Sequence, residues 1–120
     1  MIDRTAMRSI ISGSGIGVPE NVVPNEALAR IMDTSDEWIR TRSGVQERRY
    51  VSEGQGSADL GRMASEAALT AAGRTKDEID AIVFATMTPD HFFPGNGPVL
   101  QAAMGFSDTL PTFDIPQQWS

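Results

Sequence analysis

The stretch A-I-V-F-A-T-M, residues 81–87, decides the fold, because it is apolar but for Thr86 and rich in strand-forming side chains. Apolarity that runs on without alternating is what a parallel strand shows when helices cover both its faces. The run therefore predicts a central strand, and the segments on either side are read against it. Downstream, G-P-V-L-Q-A-A-M-G-F (97–106) predicts a helix with Pro98 at its first position and Gly105 just past its end. P-T-F-D-I (111–115) then predicts a second strand.

Upstream, residues 56–74 place Leu60, Met63, Ala64, Ala67, Ala68 and Ala71 on one helix face, with Ser57 as the N-cap and Gly73 as the stop. The small side chains point to close packing on a sheet. T-S-D-E-W-I-R-T-R-S-G (34–44) carries the capping-box spacing Thr34-x-x-Glu37 and a terminating Gly44, which makes a short helix. N-E-A-L-A-R-I-M (25–32) adds a helix with Asn25 as N-cap and Leu28, Ile31 and Met32 at helical spacing. R-S-I-I-S-G-S-G-I-G-V-P (8–19) is a short strand that dissolves into glycines. Strands alternating with helices define an α/β layered domain.

Composition narrows the function classes. The 120 residues carry a net charge of -6, which gives no global field for nucleic acid or an anionic membrane surface. They contain no cysteine, so no disulfide, thiolate metal site or cysteine nucleophile is available within them, and a single histidine makes a zinc cluster an unpromising reading. No run approaches the roughly 20 apolar residues of a membrane span, and no targeting segment stands out. A cytoplasmic location without membrane or nucleic-acid partners is the expectation.

Three motifs bear on chemistry. G-S-G-I-G-V-P (13–19) invites a dinucleotide loop, but the glycines give G-x-G-x-x-V and Pro19-Glu20 stands where a phosphate-binding helix would already be under way. A glycine-rich strand end fits better. Arg40, Arg42, Arg48 and Arg49 gather four of the ten basic residues between positions 40 and 49. Guanidinium groups bind phosphate and stack on flat rings, and Trp38 lies four residues before Arg42, on the same helix face. That pairing suits a ligand with phosphates and an aromatic base; the alternative is a solvated arginine surface with Trp38 packed beneath it. His91, in T-P-D-H-F-F-P-G (88–95), has no visible acid or nucleophile partner and reads as structural, and Phe92 and Phe93 beside it read as buried, in a core or in an apolar ligand pocket. Asp36, Glu37, Asp77, Glu78 and Asp80 fit helix-start chemistry.

D-T-S-D-E-W-I-R-T-R-S-G-V-Q-E-R-R-Y-V (33–51), D-A-I-V-F-A-T-M-T-P-D-H-F-F-P-G (80–95) and P-T-F-D-I-P-Q-Q-W-S (111–120) together resemble the amino-terminal part of 3-oxoacyl-(acyl-carrier-protein) synthase III, a thiolase-fold condensing enzyme. The resemblance runs from Arg8 to Ser120 in family order. It implies one partial domain over residues 1–120, the amino-terminal half of a thiolase-like αβαβα layered fold, incomplete by itself. The implied parent activity is an acyltransferase reaction of fatty-acid or related polyketide synthesis, the decarboxylative condensation of acyl-CoA with malonyl-acyl-carrier protein, with coenzyme A thioester as substrate and no cofactor or metal.

Carried position by position, the resemblance places Thr34, Trp38 and Arg42 at the coenzyme A entrance, with the tryptophan and arginine about the adenine. Phe93 matches an aromatic that reaches the acyl pocket of the neighbouring subunit, which implies a homodimer. The family's nucleophilic cysteine stands five residues after an aspartate matching Asp114; that position here is Trp119. An indole has no thiol with which to form a thioester. The family's histidine and asparagine lie beyond the segment matched, so the 120 residues are expected to lack the catalytic set. The other reading is a non-catalytic coenzyme A-binding or partner subunit that has lost its nucleophile.

Overall fold

A computed structural model describes residues 8–116. In chain order the elements are β1 (Asn21–Pro24), α1 (Asn25–Ala29), α2 (Asp36–Ser43), β2 (Glu47–Tyr50), α3 (Ser57–Ala72), a 3-10 turn (Lys76–Glu78), β3 (Ile82–Ala85), α4 (Asn96–Met104) and β4 (Thr112–Ile115). Strands β3 and β4 pair in parallel, Ile82 with Thr112 through Ala85 with Ile115. Parallel neighbours need a crossover, and α4 supplies it. The unit expected around residues 81–87 is therefore present.

The covering of β3 differs from expectation. One face is closed: Ile82 is buried, and the Phe84 ring lies so near α3 that a Cβ added at Gly61 would stand 2.7 Å from it. On the other face Val83, Phe113 and Ile115 are exposed, and no described element covers them. Apart from Pro19 and two glycines, only Ala58, Ile82 and Leu100 are buried apolar residues among those described. The radius of gyration is 18.6 Å, against about 14 Å for a compact domain of this length. The accessible surface is 9653 Å², against about 6,300 Å² for a folded monomer of this mass. A strand whose composition suits two covered faces thus has one of them bare.

Residues 8–19 form no strand ladder, although the backbone is extended and its exposure alternates, Gly13, Gly15 and Gly17 turned inward and Ser12, Ser14, Ile16 and Val18 outward. The inward glycines lie on α3. A Cβ at Gly13 would meet the Ala72 nitrogen at 2.6 Å, and one at Gly17 the Leu60 carbonyl at 2.2 Å. The alanine face of α3 therefore lies against a glycine-spaced extended segment, and the expected strand has no hydrogen-bonded neighbour strand among the described residues.

Three further local expectations move. The helix expected over 25–32 stops at Ala29, leaving Ile31 and Met32 exposed. Asn25 is not its N-cap; it is the first helical residue and is wholly buried. Pro98 occupies the third position of α4, still within the first turn where a missing N–H costs nothing. The sequence reading also missed the antiparallel ribbon of β1 and β2, Asn21 opposite Tyr50 and Pro24 opposite Glu47. Gly44, Gly73 and Gly105 close their helices as expected, each left-handed with φ of 73°, 63° and 65°. Trp119 lies outside the described residues.

Candidate functional site

Helix α2 carries the aromatic and cationic groups. Its N-cap is Ser35, whose Oγ accepts from the Trp38 N–H at 3.1 Å, one residue later than the expected Thr34 box. Asp36 and Glu37 fill the first turn and Arg40 and Arg42 the last, each sign matched to the helix dipole. Trp38 is 57% exposed, and the Arg42 guanidinium carbon stands 5.5 Å from its ring centroid, within cation–π range. Trp38 thus lies under Arg42 while more than half of it stays exposed.

The arginine cluster divides by role. Arg40 pairs with Asp36 at 3.5 Å, one turn away. Arg48 donates to the Val23 carbonyl at 3.3 Å and to the Asn25 side-chain oxygen, and Arg49 donates to the Pro19 carbonyl at 2.9 Å. Arg48 thus ties β2 to β1 and to the start of α1, and Arg49 ties the ribbon to the chain before it. Among the described residues Arg42 alone of the four has neither an ion pair nor a hydrogen bond. Thr34, expected beside it, has a buried hydroxyl without a partner among the described residues.

The second polar centre lies where β3 and β4 end. Helices α3 and α4 both start after glycine, Gly56 and Gly95, which offer no side-chain acceptor. The acceptors come from far along the chain. Asp90 takes the Ser57 and Ala58 N–H groups, each at 2.7 Å, and the Ser57 hydroxyl at 2.9 Å. Burial pushes the Asp90 carboxyl upward, but those bonds and the charge of His91 outweigh it, so the group sits below the ordinary aspartate range. Asp114 accepts from Asn96 N at 2.9 Å and Gly97 N at 3.0 Å. Asn96, wholly buried, joins the two caps: its Oδ1 accepts from Asp90 N at 3.0 Å and its Nδ2 donates to the Ser57 hydroxyl. Sequence reasoning assigned Ser57 as a cap and saw neither Asp90 nor Asn96; the available signal was a glycine at each helix entry, which demands an acceptor from elsewhere.

The remaining expected positions lie apart from α2. Phe92 and Phe93 are 97% and 91% exposed, which corrects the expectation that they are buried; the loop turns them away from the described core. His91 is also exposed. An apolar groove of about 500 Å³ runs between Gly13, α3 and β3, lined by Ala68, Leu69 and Phe84 among others, and contains none of Thr34, Trp38, Arg42 or Phe93. Among the described residues no group of three His, Cys, Asp or Glu is arranged to hold a metal, and no helix is long and apolar enough to cross a membrane.

A parallel β3–α4–β4 unit with α3 across it, and an exposed Trp–Arg pair on a separate short helix, define an α/β chain of the thiolase-like class. The solved 3-oxoacyl-(acyl-carrier-protein) synthase III of Aquifex aeolicus matches 88% of this chain and 33% of its own, at 38% identity and a TM-score of 0.81. The priming beta-ketosynthase of the R1128 polyketide pathway matches 92% of this chain and 34% of its own, at 29% identity and a TM-score of 0.82. No protein-family model matches the chain. In sequence it is 46% identical over 110 residues to the beta-ketoacyl-(acyl-carrier-protein) synthase III of Ruegeria pomeroyi, covering 92% of this chain and 34% of the relative. It is 50% identical over 97 residues to the Xanthomonas campestris protein of the same name. The chain is homologous to beta-ketoacyl-(acyl-carrier-protein) synthase III proteins and spans about a third of their length.

Proposed function

We propose that these residues form the coenzyme A entrance of a condensing enzyme that joins acyl-CoA to malonyl-acyl-carrier protein with loss of carbon dioxide. The observation that carries this is Arg42 poised over an exposed Trp38 while Arg40, Arg48 and Arg49 are otherwise engaged. A planar base held between the two groups needs about 7 Å from guanidinium to indole, twice an ordinary stacking distance. An outward swing of the unpaired Arg42 side chain widens the present 5.5 Å to admit it. Its cation then both stacks on the adenine and attracts the phosphates. Thr34, with its unpartnered hydroxyl, belongs to the same entrance.

The proposal includes a homodimer in the cytoplasm, with the exposed Phe93 reaching a neighbouring subunit. The 120 residues by themselves do not catalyse condensation, because they hold no cysteine and place Trp119 five residues after Asp114. The same observation supports a second reading, a coenzyme A-binding partner without a nucleophile. Titration with coenzyme A, followed by calorimetry, tests the entrance in a protein that includes these residues and the remaining length found in the relatives. Arg42→Ala is expected to weaken binding roughly tenfold, the equivalent of about 1.4 kcal/mol. Equal affinity of parent and variant would make the arginine surface a solvated one. Carbon dioxide release from malonyl-acyl-carrier protein in that longer protein separates the enzyme from the partner reading.

A further inference from the structure

We infer that Asn25 is a positioning residue for the Trp38–Arg42 pair, clamping both ends of α2 from beneath; this rests on the coenzyme A reading above. Helix α2 has eight residues, none of them fully buried and Ile39 alone of its apolar residues half-buried, so apolar packing contributes little to its direction. A free helix of that length is unstable in water. What ties it down is one amide. Asn25 Nδ2 donates to Asp36 Oδ1, on the first residue of α2, and to the Val45 carbonyl, just beyond the Gly44 cap, both at 2.8 Å. Its Oδ1 accepts from Arg48 on β2, and its main-chain N–H donates to the Gln46 carbonyl at 3.2 Å.

The chemistry of the site requires an amide. Two acceptors face two protons and one donor faces the oxygen, so asparagine uses both of its donors and its acceptor. The substitution Asn25→Asp would set a carboxylate against the Asp36 carboxylate and the Val45 carbonyl, while Asn25→Ala would take one hydrogen-bond partner each from Asp36, the Val45 carbonyl and Arg48. Neither change touches the indole or the guanidinium. Asn25 thus acts on the ligand only through where α2 holds them.

Amide hydrogen exchange on the 120-residue chain tests this without any ligand, so its result is independent of whether coenzyme A binds. The reporters are Ile39 N–H, bonded to the Ser35 carbonyl at 3.1 Å, and Gly44 N–H, bonded to the Arg40 carbonyl at 2.8 Å. In Asn25→Ala both are expected to exchange at least tenfold faster, with the amides of α3 and α4 within threefold of the parent. Unchanged α2 exchange would overturn the inference, as would equal acceleration in all three helices of a chain that remains folded. Should Asn25→Ala fail to fold, the reciprocal pair decides: Asn25→Asp loosens α2, and Asn25→Asp combined with Asp36→Asn restores a donor opposite an acceptor at the first turn and recovers protection of Ile39 N–H, the carboxylate at position 25 still facing the Val45 carbonyl at the other end. No recovery at Ile39 N–H in that double variant overturns the clamp. Arg42→Ala, which leaves the Asn25 bonds intact, is expected to leave α2 exchange unchanged, so loss of coenzyme A binding in it concerns the entrance alone.

Discussion

Placing a methyl group on Gly15 tests how residues 8–19 are held. The extended segment runs along α3 with Gly13, Gly15 and Gly17 facing the helix, and a Cβ at Gly15 would lie 2.3 Å from the Ala64 carbonyl oxygen, 2.5 Å from the Ala68 nitrogen and 2.7 Å from the Ala67 Cβ. Ordinary contact begins at 3.4 Å, so the segment must retreat by 3.4 − 2.3 = 1.1 Å. Two of the three obstacles are helix backbone and cannot rotate aside. Retreat at Gly15 also lifts its neighbours Gly13 and Gly17 from the same face. Overpacking of this kind costs ~1–3 kcal/mol. Against it, alanine restricts the unfolded chain and returns ~0.4–1 kcal/mol at a compatible backbone angle. With backbone on two sides the clash wins, by about 1–2 kcal/mol. The midpoint of thermal unfolding, followed by circular dichroism, is expected to fall by roughly 4–8 °C. Ser14→Ala, on the outward face, is the control and should stay within about 0.5 kcal/mol of the parent. A Gly15→Ala midpoint equal to or above that of Ser14→Ala would refute the close approach.

Asp90→Ala removes the acceptor for two N–H groups at the start of α3 and is expected to cost about 1 kcal/mol, seen as a lower urea midpoint. Because the folded Asp90 carboxyl lies below its ordinary range, its contribution is present above an unfolded value of about 3.9 and is lost as pH falls through the lower folded value. An Asp90→Ala chain should accordingly lose less stability than the parent between about pH 5 and pH 2, on the order of the missing cap. The bare sheet face of Val83 and Phe113, 62% and 56% exposed, is expected to drive self-association of the 120-residue chain. Sedimentation at several concentrations should show it, diminished by Phe113→Lys; a monomer throughout would contradict it.

What could be read from sequence follows the range of the interactions involved. The parallel β3–α4–β4 unit was legible because an unbroken apolar run and its flanking helix signals are local. So were the three glycine C-caps, since a left-handed residue at a helix end is a property of that residue's own backbone. Trp38 and Arg42 were legible as a pair because one helical turn brings i and i+4 together. The helix starts were misread where their acceptors are non-local: Asp90 caps α3 from 33 positions after Ser57, and Asp114 caps α4 from 18 after Asn96. The β1–β2 ribbon was invisible for a similar reason. N-V-V-P and E-R-R-Y are only four residues each and show no run of apolar–polar alternation, and their pairing is supported by Arg48 and Arg49 reaching back to Val23 and Pro19.

These long-range bonds fall into two centres that share no residue. Asn25, Asp36, Val45 and Arg48 fix the helix that bears Trp38 and Arg42. Ser57, Asp90, Asn96 and Asp114 fix the helix starts at the ends of β3 and β4, the edge from which the chain continues toward Trp119. Perturbations of residues that lie apart and share no partners add nearly independently, within about 0.5 kcal/mol. The proposed entrance can therefore keep its geometry whatever side chain follows Asp114. A cysteine and a tryptophan at position 119 should differ in acyl transfer and not in how the Trp38–Arg42 pair is held. Separate polar anchoring of the two regions would let the proposed coenzyme A entrance and the position matched to the family nucleophile vary independently on one fold.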